Sequence, residues 1–329
     1  MPRYKQIGRV SALRCHRPPA SIAFCSRRRP FCLVQAGQRR DPRPELPGIW
    51  RVSASSSVIE QVLADRRRVT GGDPLRLEHF GFKVYSQSDE DGIIAEIFRR
   101  IGVTNRVFVE FGAETGMENN SRLLLEQGWT GLWIEGNPDY AGAINWRYHD
   151  ELANGRLKFI ERYVDRENIN DLIRSAGLSG KIDFLSIDID SNDYHVFETI
   201  EAIQPRVVCL EHNHEFPPPA EWVMPYNPAY RWGPASGKAD YGASICALNR
   251  LAQRKGYRLV GCGLYSANGF YVSSRLVQGR WPWSPPRFEQ PLDPARFFNP
   301  LRYEMIVNFP FGRDIWPDII TSPKRAIRP

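Results

Sequence analysis

The sequence predicts an α/β fold, a mostly parallel sheet that ends in one antiparallel hairpin. Two observations predict it. From residue 106 onward, short near-continuous apolar segments alternate with amphipathic ones in five successive units. That is the pattern of strands buried on both faces and joined by helices. After them, "YRLVGCG" and "NGFYVSS" are separated only by "LYSA". Four residues cannot hold a helical crossover, so these two strands must pair antiparallel.

The elements follow in order. Residues 1–53 hold twelve Lys/Arg against two Asp/Glu and are rich in Pro and Ser, which predicts a disordered basic tail. A transit peptide or an over-called start codon would give the same composition. Residues 54–105 form an N-terminal helical segment: a short helix in "SSVIEQVLADRRRV", then a second in "YSQSDEDGIIAEIFRRIG". Ser88 is placed to cap the second, whose Ile93, Ile94, Ile97, Phe98 and Ile101 fall on one face. The main domain spans 106–274. Its strands are "VFVEF", "GLWIEG", "LKFIERYV", "IDFLSIDI" and "RVVCLEH", each followed by a helical segment, with one helix expected over 138–150. A long loop over 213–240 precedes the helix "GASICALNRLAQRKG". Residues 275–329, rich in Pro, Arg and aromatics, predict a loop-rich wrap.

Charge and cysteine usage exclude several classes. The net charge of +7 resides in the tail, at +10; the remaining 276 residues carry 32 basic against 35 acidic side chains, or −3. The folded part therefore presents no basic face for nucleic acid. None of the six cysteines sits in a CxxC pair, so neither a zinc site nor a redox pair is indicated. Free thiols suit a reducing, cytoplasmic setting. No apolar run approaches the ~20 residues of a membrane span.

The chemistry concentrates at strand ends, where open α/β sheets bind ligands. The first strand runs into "VEFGAETGMENN", with Glu110, Gly112, Gly116 and Asn119. Glycines there let backbone approach a ligand. The loop lacks G-x-G-x-x-G, and its acids at 110, 114 and 118 would repel a pyrophosphate. The second strand ends on Glu135, placed to accept both hydroxyls of a ribose. A ribose together with a cationic tail fits S-adenosylmethionine.

The fourth strand ends "SIDIDSND" and the fifth "LEHNHEF". Asp188 and Asp190 share a face if the strand persists. Asp188, Asp190, Glu211 and Asn213 form an oxygen-rich set suited to Mg²⁺ or another divalent cation. Alternatively, Asp190 caps the next helix and Glu211 pairs with a buried Arg. Proton removal from an acceptor hydroxyl needs such a cation or a general base. His214, then His212, with Asp188, are the catalytic candidates, whereas His195 belongs on a helix surface. The loop aromatics Trp222, Tyr226, Tyr230 and Trp232 read as a lid that stacks on a sugar ring or planar acceptor, or as a cover for the sheet edge.

On the motifs "VEFGAETG", "WIEGNP", "DFLSIDIDSNDY", "VVCLEHN" and "YGASICALNRLAQRKGYRLVGC", residues 85–274 resemble the FkbM-type S-adenosylmethionine-dependent methyltransferases. The resemblance implies a class I methyltransferase (Rossmann-like) sheet with strand order 3-2-1-4-5-7-6. It implies Glu110, Gly112 and Gly116 at the cofactor's amino-acid end and Glu135 at its ribose. Asn119 stands where family members often carry Ser. The resemblance also implies the reaction class, O-methylation of a glycan or small secondary metabolite. The acid cluster is similar to that of catechol-type O-methyltransferases, but Glu-His-Asn replaces their second Asp-Asn pair. The competing readings are a non-catalytic binding protein on the same fold and a nicotinamide-dependent oxidoreductase.

Overall fold

The computed structural model describes residues 75–231, 241–263, 267–277 and 288. The basic tail, the helix expected in "SSVIEQVLADRRRV", Trp232 and nearly all of the expected C-terminal wrap lie outside them.

Seven strands form one sheet: β1 (Val107–Phe111), β2 (Thr130–Glu135), β3 (Leu157–Glu161), β4 (Gly180–Ile187), β5 (Ile203–Glu211), β6 (Tyr257–Cys262) and β7 (Asn268–Ser273). Their order is β3-β2-β1-β4-β5-β7-β6, as expected. The first five are parallel, and β7 pairs antiparallel with both β5 and β6. The chain winds outward from β1 in both directions, so the crevice between the carboxyl ends of β1 and β4 is the topological switch point.

The described helices are α1 (Glu90–Ile101), α2 (Arg122–Glu126), α3 (Pro138–Arg147), α4 (His149–Ala153), α5 (Ile169–Ser175), α6 (Asp193–Thr199), α7 (Ile245–Arg254) and α8 (Ser274–Val277). Strand alternation sends Phe108, Trp133, Phe184 and Val207 to one face, where they pack with Ile93, Ile97 and Phe98 of α1, Leu124 of α2 and Ile144 of α3. Val109, Phe111, Ile134, Leu185 and Leu210 point the other way, against Ile173 of α5, Phe197 of α6 and Leu248 of α7. Burial on both faces explains the near-continuous apolar strands.

Two local expectations are corrected. Ser88 does not cap α1: the residue before the helix is Asp89, and the Ser88 hydroxyl lies 2.9 Å from the Asp89 carboxylate. Asp91, inside the first turn, does the bracing instead. Its Oδ2 accepts the amides of Val84, Tyr85 and Ser86 at 2.7, 2.6 and 2.9 Å, fastening the preceding loop to the helix. The single helix expected over 138–150 breaks at Tyr148 into α3 and α4. Tyr148 turns inward, its ring meeting Trp133 edge-on at 4.7 Å and its hydroxyl bonding the Gly116 carbonyl.

At the opposite end of the sheet from the switch point, Asp183 is fully buried, 2.7 Å from Arg206, and accepts the amides of Thr104, Asn105 and Arg106. Burial would raise its carboxyl, but Arg206, Thr104 and the loop amides outweigh that and hold it below the usual range.

Candidate functional site

A cleft of about 430 Å³ opens at the switch point, a size typical of ligand sites. The carboxyl ends of β1 to β5, the loops that follow them and the start of β7 form its walls.

At the β1 end, Glu110 is buried and accepts the amides of Asn120 (2.9 Å) and Ser121 (3.0 Å) and the Ser121 hydroxyl. Burial pushes its carboxyl up, while those donors and the Asn119 amide counter the rise. Glu110 thus braces the loop as well as lining the cleft. The loop glycines answer to packing. Gly112 has φ +74°, and a Cβ there would lie 1.6 Å from the Asp188 carbonyl oxygen. Gly116, also at φ +74°, would drive a Cβ to 2.4 Å from the Tyr148 ring. Close approach of backbone to protein, rather than to a ligand, accounts for both.

Glu135, at the tip of β2, gathers the next two loops. Its Oε2 accepts the Glu114 amide at 2.7 Å and its Oε1 the Asn137 amide at 2.7 Å. The Gly136 amide also favours the charged carboxylate, which retains part of its acceptor capacity. Asn137 in turn caps α3 by accepting the Asp139 amide. Burial raises the Glu135 carboxyl. The surrounding protein, and then the Glu135 and Glu118 charges, raise Glu114, although that residue is exposed to solvent. Glu114 also holds a left-handed backbone, φ 45°. Such strain in a non-glycine residue costs on the order of 1–2 kcal/mol and concentrates at functional sites.

On the β4 side the acids meet by a different route from the expected one. β4 stops at Ile187, so strand alternation does not carry Asp190. The chain turns at Asp190, φ 51°, and the Asp193 carboxylate accepts the Ile189 and Ser191 amides to close the turn. This turn gathers Asp188, Asp190 and Glu211 so that one oxygen from each lies within 4.8 Å of the others. Burial, and then the charges of Asp190, Asp193 and Glu114, push Asp188 well above the usual carboxylate range against a hydrogen bond with Glu211. The residue at the N-cap of α6 is Asn192, which makes no side-chain cap hydrogen bond, in place of the Asp190 cap that was expected.

Asn213 is occupied elsewhere. Its Nδ2 donates to the Tyr241 carbonyl at 2.8 Å and its Oδ1 accepts the Glu215 amide at 2.9 Å. The expectation that a histidine faces the crevice is not met. β5 ends at Glu211; His212 is buried, with its backbone amide on Ala267, and His214 lies 3.3 Å from Glu215. Neither is among the residues that line the cleft. His195 on α6 contacts the Met224 carbonyl at 2.8 Å.

The described part of the loop that follows β5 is anchored on both sides. Asn227 exchanges two hydrogen bonds with Asn192 at the start of α6. The Tyr226 hydroxyl bonds Glu167, and Arg166 lies over the Tyr226 ring at 3.9 Å. Trp222 stacks on Phe216 with centroids 4.2 Å apart. Of Trp222, Tyr226 and Tyr230, only Tyr230 lines the cleft. Several lining residues were not foreseen: Tyr140, Arg162, Tyr163, Arg231, Tyr241 and Asn268. Asn268, the first residue of β7, is brought beside Glu211 by the β5–β7 register.

Among the described residues the cleft is lined by seven carboxyl side chains (Glu110, Glu114, Glu118, Glu135, Asp188, Asp190 and Glu211) against two arginines, Arg162 and Arg231. That field attracts a cation and disfavours a phosphate.

No protein-family model matches the chain. No curated protein matches it either. Solved structures do. The N-terminal domain of EvdMO1 with SAH bound shares 12% identity over 64% of this chain and 94% of its own, with a TM-score of 0.36. An O-methyltransferase from Bacillus cereus in complex with SAH shares 14% over 68% and 92%, TM-score 0.36. The glycopeptide N-methyltransferase MtfA, complexed with S-adenosylmethionine, shares 12% over 54% and 90%, TM-score 0.33. At such identities and scores the likeness says nothing about the acceptor or cofactor of this chain.

Proposed function

We propose that this chain transfers a methyl group from S-adenosylmethionine to an acceptor hydroxyl, on a glycan or other small metabolite. One observation carries the reading: the cleft at the switch point sets seven carboxyls against two arginines, with Glu135 at the tip of β2. Bound there, the cofactor would supply a methyl group on a cationic sulfonium. Glu135 has acceptor capacity left for a ribose hydroxyl. Glu110 and Asn119 line the cleft beside the loop that would hold the amino-acid end, where the cofactor's ammonium meets acids rather than bases. The wall made by Asp188, Asp190 and Glu211 is the acceptor end, placed to orient a hydroxyl and draw off its proton. The histidines have no part in this reading, since neither is among the residues that line the cleft.

Calorimetry on the purified full chain tests it. S-adenosylmethionine is expected to bind, and Glu135→Ala to lose most of that binding while circular dichroism stays unchanged. Absence of binding to the wild type would remove the enzymatic reading.

A further inference from the structure

We propose that Asp188, Asp190, Glu211 and Asn268 form a site for a hard divalent cation, with Asn268 of β7 in the place that sequence spacing gives to Asn213. The inference deepens the reading above, and rests on its placing of the acceptor beside these acids.

Two independent observations meet here. The first is the carboxylate trio, with one oxygen from each residue within 4.8 Å of the others. Two oxygens opposite one another on a calcium-sized ion are about 4.6–5.2 Å apart, from metal–oxygen distances near 2.3–2.6 Å. The trio lies within the reach of one such ion.

The second is Asn268, which lies directly across the β5–β7 pair from Glu211. It is 3% exposed and lines the cleft. Its amide nitrogen is committed to Glu90 Oε1 at 3.2 Å. Its Oδ1 is buried and has no hydrogen-bond partner among the described residues. A buried amide oxygen without a donor costs about 1–3 kcal/mol, so this oxygen is disposed to take a partner from the cleft it lines. Three carboxylates would repel another acceptor and attract a cation, and a cation satisfies both the charge and the amide oxygen. Glu90 acts as a positioning residue that keeps the nitrogen turned away; its other oxygen accepts the Ser88 amide at 2.8 Å.

All four donors are oxygens, which favours Mg²⁺, Mn²⁺ or Ca²⁺ over zinc or copper. A cation held here would lower the pKa of a hydroxyl bound to it.

Titration of EDTA-stripped, dialysed full chain with Mn²⁺ tests the site, read by calorimetry and by electron paramagnetic resonance of the free ion. One Mn²⁺ per chain is expected, displaceable by Mg²⁺ or Ca²⁺. Glu211→Gln and Asn268→Ala should each weaken binding about tenfold or more. Asn268→Asp should hold or tighten it, and it answers the question if Asn268→Ala does not fold. Glu221→Gln, a surface acid paired with Arg250, should leave the affinity unchanged. No Mn²⁺ binding at millimolar concentration, or equal binding in wild type, Glu211→Gln and Asn268→Ala, would overturn the site. S-adenosylmethionine binding to the same stripped protein separates the two ideas. Cofactor binding without Mn²⁺ binding removes the cation site alone, and Mn²⁺ binding without cofactor binding removes only the methyl-transfer reading.

Discussion

Glu135 Oε2 accepts the backbone amide of Glu114 at 2.7 Å, so the acid at the tip of β2 holds the loop that leaves β1. The same carboxylate therefore does two jobs, shaping the loop and presenting charge to the cleft. Two substitutions separate them. Glu135→Gln keeps an oxygen for one loop amide but removes the charge; Glu135→Ala removes both. Calorimetric affinity for S-adenosylmethionine should fall for Gln and fall further for Ala. Equal affinities for wild type and Glu135→Gln would show that the charge is idle.

The raised carboxyls make an unusual pH dependence. Glu110, Glu114 and Glu135 are all raised in the folded protein, Glu110 and Glu135 chiefly by burial and Glu114, though solvent-exposed, by the surrounding protein and the neighbouring Glu135 and Glu118 charges. Their contribution favours folding below the unfolded values near 4.5 and is lost as pH rises through the raised values. The ligand-free protein should therefore gain in Tm as pH falls through the raised values toward 4.5. At lower pH, Asp183 and Glu96, both held below their usual values, work in the opposite direction. Affinity for a cationic ligand should weaken over the same fall, because protons compete for the carboxylates. Differential scanning fluorimetry across pH, on wild type and Glu114→Gln, checks both signs; the variant should be the more stable at neutral pH and the weaker binder.

Two glycines in contrasting surroundings make a matched pair. Gly112→Ala would meet the Asp188 carbonyl at 1.6 Å from a left-handed backbone, and should destabilise by several kcal/mol or prevent folding. Gly142, inside α3, has nothing within 4 Å of where a methyl group would sit, and Gly142→Ala should stabilise by about 0.5–1 kcal/mol. Urea unfolding of both variants checks the contrast.

Arg206→Ala would leave Asp183 buried without its cation. Removing one partner of a buried pair typically costs about 3–5 kcal/mol. The loop amides that remain on Asp183 should hold the loss toward the lower end. A loss well under about 1 kcal/mol in urea would show the pair to be dispensable.

The fold was legible because its signals are periodic and local. Apolar strands buried on both faces alternate with helices, and "LYSA" leaves the last two strands only one way to pair. The acids Glu110, Glu135, Asp188, Asp190 and Glu211 were legible because strand ends must converge at a switch point. What failed was extrapolation past a strand's end. His212, Asn213 and His214 follow the last residue of β5, where alternation no longer governs direction, and their side chains go to the interior or to loop contacts. Asn268 needed the β5–β7 register, which a spacing argument does not supply. The break at Tyr148 needed the Trp133 ring, fifteen residues away in sequence and adjacent only in the fold.

The most direct measurement sets two adenosine-bearing ligands against each other in one calorimeter: S-adenosylmethionine and the reduced nicotinamide dinucleotide, titrated into the same purified chain. A cleft of seven carboxyls should bind the first and give no heat with the second. Binding of the dinucleotide, or silence toward S-adenosylmethionine, would contradict it.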